Sequence, residues 1–328
     1  MGIGIIGLGS YLPERVITNA DICSWTGVTE EWIEQRTGIR ERRYATPGMV
    51  TSDLAARAAR AALSWQDGPG DDRLAALVVA TCTPDVPQPA TAAIVQHKLT
   101  MRSVPAFDVN SVCAGFVFGL AVAEGMLARQ GGDATALLIG ADMFSTIMDR
   151  TDRRTVTLFG DGAGAAVLGT VPDGYGIRAI RLVTDGDRYD EVTVRAGGTR
   201  TPLDAAALAR GDHLFRMNGP LVKSYVIAST RKLVFQTLDE AGLRLDDIDR
   251  FVFHQANMRL LEALADDLGV SMDRVPTTVG EFGNTAAASV AVTLDESHRA
   301  RPIARGERIL ITAAGGGLCT GAVVMTWY

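Results

Sequence analysis

Short runs rich in Val, Ile and Leu alternate with longer Ala-rich amphipathic stretches along this chain, and the alternation repeats. Residues 74–80, 136–140, 249–253 and 308–312 read as parallel strands buried on both faces. Residues 52–64, 114–129, 219–241 and 258–268 carry helical periodicity. Strands that alternate with helices predict an α/β fold. In the first half a strand ends at Ala80, Cys113 stands at a helix start, and a strand follows to Gly140; in the second half a strand ends at Phe253, Gly283-Asn284-Thr285 opens an Ala-rich helix, and a strand follows to Thr312. Cys113 precedes Ile139 by 26 positions and Asn284 precedes Ile311 by 27. The match predicts two similar halves, 1–172 and 173–328, with the boundary near residues 170–175. It puts Cys113 and Asn284 at equivalent helix starts and His254 at the strand end equivalent to Thr81. Open α/β sheets place ligands at such strand ends, so three polar residues distant in sequence are expected to share a pocket. Residues 194–212 are polar and contain Gly, which predicts a long loop serving as a lid or partner contact.

With 328 residues, 47% hydrophobic and 21% charged, the chain can build one large domain or two ordinary ones. A net charge of −6 without a Lys/Arg block argues against non-specific nucleic-acid binding, while leaving room for a local basic patch that meets an acidic partner. The four cysteines (Cys23, Cys82, Cys113 and Cys319) are widely spaced and form no CxxC pair. Neither a zinc site nor a disulfide framework is expected, and no other metal is implied. The chain opens on an apolar strand without a cationic segment, and no uninterrupted apolar run reaches a membrane span. These features predict a soluble protein of a reducing cytoplasm.

Cys113 follows an extended apolar segment and precedes a helix. A thiol there meets free backbone N–H groups and the positive end of the helix dipole, and both favour the nucleophilic thiolate. The other reading is a small buried residue at a tight strand–helix junction. A nucleophilic cysteine usually needs a partner base. Of the four histidines, His97 and His298 read as solvated helix faces, and His213 follows a charged loop. His254 alone ends a hydrophobic strand; its alternative is a structural histidine satisfied by backbone. Asn284 is either a helix cap or an amide aimed at the thiol. Gly315-Gly316-Gly317 is either a tight turn or a place where a backbone N–H approaches a substrate oxygen. Gly160-Asp161-Gly162-Ala163-Gly164 lacks the placement of a dinucleotide fingerprint and predicts close backbone packing beside a strand.

Taken in order, several motifs resemble the ketoacyl-ACP synthase III family of the thiolase superfamily. They are Glu31-Trp32-Ile33 with Arg36-Thr37-Gly38-Ile39-Arg40-Glu41-Arg42, Cys113-Ala114-Gly115-Phe116, Thr151-Asp152-Arg153, the run from Phe159 to Val167, His254-Gln255-Ala256-Asn257, Gly283-Asn284-Thr285 and Gly315-Gly316-Gly317. The resemblance implies a duplicated, five-layered αβαβα thiolase-like fold, assembled as a homodimer. It implies that Cys113 takes an acyl group from acyl-CoA, with the backbone N–H groups of Cys113 and Gly316 holding the oxyanion. His254 and Asn284 would then stabilise the enolate formed when malonyl-ACP loses carbon dioxide, and the product would be a 3-oxoacyl-ACP that primes fatty acid or polyketide synthesis. Two positioned donors stabilise a developing oxyanion more than the ground state.

By the same resemblance Trp32 and Arg153 sandwich the CoA adenine, Arg36 contacts phosphate, and Gly219 and Asn257 lie along the pantetheine arm. For Trp32 the alternative is surface packing on a helix. Arg259 is the expected docking point for acidic ACP. No cofactor is implied, since acyl-CoA enters as substrate. The chain departs from the family pattern at Ala314, at Leu318-Cys319-Thr320 and at Gln88, where an aromatic acyl-pocket residue supplied by the dimer partner is common. The departures leave the acyl group open and keep a second function in view, acyl transfer to another acceptor without decarboxylation. Degradative thiolysis would need a second catalytic cysteine, for which Cys319 is the only candidate.

Overall fold

Buried apolar runs must satisfy their backbone groups in ladders, and here they pair into two mixed sheets. The computed structural model describes residues 1–65 and 73–328. From the N-terminus come β1 (Gly2–Tyr11), β2 (Val16–Thr18), α1 (Asn19–Thr26), α2 (Glu30–Thr37), β3 (Glu41–Arg43) and α3 (Thr51–Leu63). Then follow β4 (Leu74–Ala80), α4 (Thr91–Lys98), β5 (Ala106–Val109), α5 (Gly115–Gln130), β6 (Thr135–Met143) and β7 (Asp161–Val171). Next are β8 (Gly176–Thr184), β9 (Val192–Val194), α6 (Ala205–Arg210), β10 (Phe215–Met217) and α7 (Gly219–Ala241). The chain closes with β11 (Arg250–Phe253), α8 (Met258–Leu268), α9 (Val279–Phe282), α10 (Ser289–Ala300), β12 (Arg308–Gly315) and β13 (Cys319–Thr326).

The first sheet runs β1-β7-β6-β4-β5 and the second β8-β13-β12-β11. In each, a parallel pair (β4/β6, β11/β12) is followed by antiparallel neighbours (β7 then β1, β13 then β8). The second sheet therefore repeats four strands of the first, and β5 is the extra edge. Helices α5 and α10 lie between the sheets; α3 and α4 cover the outer face of the first, and α7 with α8 covers the second. This is the five-layered αβαβα arrangement. Its central layer also accounts for the apolar character of α5. Residues Val112–Gln130 are long and apolar enough to cross a membrane by length and composition, but both sheets press on this helix, so it is apolar over most of its surface.

The glycine run from Gly160 to Gly164 enters β7, and a Cβ on Gly164 would fall 2.6 Å from the Ala291 side chain and 2.7 Å from the Val292 nitrogen of α10. Close packing of strand on helix is thus its role, as the sequence predicts. Two expectations are corrected. The stretch 194–212 is not all loop, because Asp204 caps α6 through the Ala207 N–H (2.7 Å) and Gly211 ends it with φ 69°. His298 is not a solvated face. Its ring lies edge-on to Trp65 at 5.3 Å, and its Nδ1 accepts the Ile303 N–H at 3.2 Å.

Candidate active site

Cys113 sits in a 3-10 turn, Val112–Ala114, that leads directly into α5. The matching turn of the second half is Ala286–Ala288, leading into α10. Val112 and Ala286 both take positive φ, 47° and 49°. Asn110 Oδ1 accepts the Val112 N–H at 3.2 Å, and Asn284 Oδ1 accepts the Ala286 N–H at 2.8 Å. The backbone therefore pairs Asn110 with Asn284 and Cys113 with Ala287. The expected pairing of Cys113 with Asn284 is out by three positions, because residue spacing alone does not show where each turn begins.

The two turns meet between the sheets. Gly315, at the end of β12, lies against the cysteine turn: a Cβ there would be 2.6 Å from the Ser111 oxygen and 2.8 Å from the Cys113 nitrogen. Only glycine allows that approach. Asp142 ties the halves together. Its Oδ1 accepts the Thr83 hydroxyl at 2.8 Å, the Thr81 hydroxyl at 3.1 Å and the Cys82 N–H at 2.9 Å, while its Oδ2 accepts the Ala287 N–H at 3.0 Å. Burial raises its pKa against the pull of these donors.

His254 extends the parallel ladder beyond β11, its N–H donating to the Thr312 oxygen at 2.8 Å. Its ring is buried, with Nδ1 2.7 Å from Ser289 Oγ, and burial pushes its pKa down to about 4. It is neutral at neutral pH. Asn284 is pinned by backbone bonds, its N–H to the Leu158 oxygen (2.8 Å) and its oxygen to the Gly160 N–H (3.0 Å). With Oδ1 engaged, its Nδ2 makes no hydrogen bond among the described residues and remains available as a donor. Burial, with a further contribution from Asp142, pushes the Cys113 thiol well above its ordinary range. The direction is opposite to the depression expected from the helix N-terminus, because the thiol is desolvated between the two halves.

Cys319 donates its thiol to the Ser111 and Gly316 oxygens at 3.2 and 3.1 Å, and burial pushes it up to about 12. It braces the glycine turn rather than standing free as a base. Ala314 lines a small cavity beside His254 with Val226, Leu260 and Leu264. Gln88 is exposed on the chain surface.

A cavity of about 350 Å³ leads from the surface to Asn284, and Trp32, Arg36, Arg153, Gly219 and Asn257 all line it. The guanidiniums of Arg153 and Arg36 lie 5.6 and 5.7 Å from the Trp32 ring centre. Asn257 caps α8, its Oδ1 accepting the Leu260 N–H at 2.9 Å. Gly219 opens α7. Arg259 also lines the cavity, but its guanidinium is held by both Glu262 oxygens at 2.9 and 2.8 Å and by the Gln35 oxygen at 3.0 Å. Arg259 thus meets the expected docking role already paired with Glu262.

Comparison with known proteins decides the family. The 3-oxoacyl-[acyl-carrier-protein (ACP)] synthase III profile matches residues 107–186, and its C-terminal profile matches 238–327. Acetoacetyl CoA synthase NphT7 of Streptomyces sp. (strain CL190) is 44% identical over 325 residues, 98% of each chain. The chain belongs to the ketoacyl-ACP synthase III family. A beta-ketoacyl-[acyl-carrier-protein] synthase III of Caldanaerobacter subterraneus is 41% identical, covering 99% of this chain and 97% of its own. The crystal structure of FabH from Pseudomonas aeruginosa PAO1 superposes with a TM-score of 0.90 at 35% identity, covering 100% of this chain and 98% of that one. The priming β-ketosynthase of the R1128 polyketide pathway gives 0.91 at 30% identity, covering 99% and 96%. The protein is thus an enzyme of the ketoacyl-ACP synthase III type with the thiolase fold. Asp142 and Ser289 escape sequence reading; a charged residue ending a fully apolar strand was the one available sign for Asp142.

Proposed function

We propose that this protein condenses an acyl-CoA starter with malonyl-ACP, releasing carbon dioxide and giving a 3-oxoacyl-ACP that primes fatty acid or polyketide synthesis. The observation that carries this reading is a pair of side-chain donors without a hydrogen-bond partner among the described residues: Asn284 Nδ2, two positions before the turn that meets the cysteine turn, and His254 Nε2, on the ring that contacts Ser289 just after that turn. In the first half-reaction Cys113 sulfur attacks the acyl-CoA carbonyl, the oxyanion rests on the N–H groups of Cys113 and Gly316, and the CoA sulfur leaves with the proton that the thiol gave up. In the second, the malonyl carboxylate departs as carbon dioxide and the electron pair moves to the thioester oxygen, held by His254 and Asn284. The enolate carbon attacks the acyl-Cys113 carbonyl, the C–S bond breaks, and the cysteine thiolate is reprotonated from water. A neutral imidazole suits this role, since the ring need only donate a hydrogen bond and the one proton taken up goes to the cysteine sulfur.

Trp32 and Arg153 would take the adenine between them, Arg36 a phosphate, and Gly219 and Asn257 the pantetheine arm. Ala314 and Gln88 enlarge or polarise the acyl end, which favours a starter other than acetyl-CoA. A second reading, with malonyl-CoA in place of malonyl-ACP, is favoured by the pairing of Arg259 with Glu262 and by the 44% identical relative named for acetoacetyl-CoA synthesis. The test is to supply several acyl-CoAs with malonyl-ACP or malonyl-CoA and to follow carbon dioxide and the product by mass. Condensation requires both to appear in equal amounts; acyl transfer without carbon dioxide would support the non-decarboxylating alternative instead.

A further inference from the structure

The first residue of α10 touches the ring that the condensation needs. Ser289 is fully buried, and its Oγ lies 2.7 Å from Nδ1 of His254 and 3.5 Å from the Gln255 backbone N–H. It makes no other hydrogen bond among the described residues. A hydroxyl has one proton to give and lone pairs to receive with. The Gln255 N–H can only donate. If Nδ1 also carried a proton, Ser289 would face two donors and its own proton would be left buried without an acceptor, a costly arrangement. With Nδ1 bare, the serine proton goes to Nδ1, the amide proton goes to the serine oxygen, and every group is satisfied. The ring proton then sits on Nε2, the nitrogen that makes no hydrogen bond among the described residues.

We propose that Ser289 is a positioning residue that locks His254 in the Nε2–H tautomer, the form able to donate to the thioester oxygen of the malonyl substrate. The proposal rests on His254 acting as the enolate donor, but the tautomer can be read without turnover. The four histidines of the chain make a simple spectrum. Nitrogen-15 NMR of the histidine-labelled full chain, with His254 assigned by its loss in His254→Asn, should show an unprotonated Nδ1 and a protonated Nε2. Ser289→Ala should move population to the Nδ1–H form and lower the kcat of decarboxylation by about 10- to 100-fold, while KM for the malonyl substrate changes by less than about twofold. Ser289→Cys, which keeps a weak donor, should restore part of both. A wild-type ring protonated on Nδ1 overturns the proposal, whether or not the Ala variant folds. So does a folded Ser289→Ala with unchanged tautomer and kcat. Absence of decarboxylation in the wild type would count against the condensing function alone, and the spectrum would still decide the role of Ser289.

Discussion

Val112 and Ala286 share a left-handed backbone, φ 47° and 49°, each two residues beyond an asparagine whose Oδ1 accepts its N–H. For a β-branched residue this conformation costs about 1–2 kcal/mol, and it fixes the direction of the N–H that follows, that of Cys113. Val112→Gly relieves the strain but gives the unfolded chain more freedom, so thermal stability should change little. Acyl loading should nonetheless fall at least about tenfold, because small misplacements at a reacting centre are expensive. Undiminished loading in this variant would separate the turn from oxyanion binding.

The raised Cys113 pKa makes a prediction opposite to that of a helix-activated thiolate. Alkylation of Cys113 by iodoacetamide should climb about tenfold per pH unit from roughly pH 6 to 9 without levelling. A plateau near neutrality would mean that the α5 dipole overrides burial after all.

The depressed His254 pKa has a stability consequence with a definite sign. Between about pH 4 and 6.5 the unfolded chain binds a proton at this residue that the folded chain does not, so its contribution is complete above about 6.5 and is lost as pH falls toward 4. The full loss is about 3 kcal/mol. Asp161, raised to about 6 by burial, acts in the opposite sense over part of this window. The difference between wild type and His254→Asn isolates the histidine: urea unfolding at a series of pH values should show wild type losing more stability on acidification. Parallel curves would contradict a buried neutral ring.

Glu262 should govern how much use the enzyme makes of an acidic carrier. The Arg259–Glu262 pair is close to half exposed on both sides and worth less than about 1 kcal/mol. Glu262→Gln should therefore raise kcat/KM for malonyl-ACP by up to about fivefold at low ionic strength, with the gain fading in salt. No change would remove Arg259 from the docking surface.

Much of the scaffold was legible. The bounds of α7 and α8 were readable because their stop signals are local: Gly242 and Gly269 both end helices at positive φ, and Asn257 opens α8 with its own side chain. The strands were readable because burial on both faces leaves unbroken apolar runs, as in β4. Cys113, His254 and Asn284 stood out because each breaks an apolar pattern beside a glycine or a strand end. Helix α6 did not, being too short to show periodicity, and neither did Ser289, since a serine after three alanines looks like any small helix residue. The protonation of Cys113 was illegible for a different reason. Helix position can be read from the sequence, whereas desolvation by the second half of the chain cannot.

The division of labour between Cys113 and Asn284 is tested most directly by intact-mass and peptide mapping of the enzyme after acyl-CoA, with carbon dioxide release from malonyl-ACP followed in parallel. Wild type should carry the acyl mass on Cys113 and release carbon dioxide. Asn284→Ala should still carry the acyl mass but release carbon dioxide at least about 100-fold more slowly, and Cys113→Ser should carry no acyl thioester. An acyl group found on Cys82 or Cys319, or an Asn284→Ala variant that loses both half-reactions equally, would contradict the assignment of loading to the cysteine turn and of decarboxylation to the asparagine.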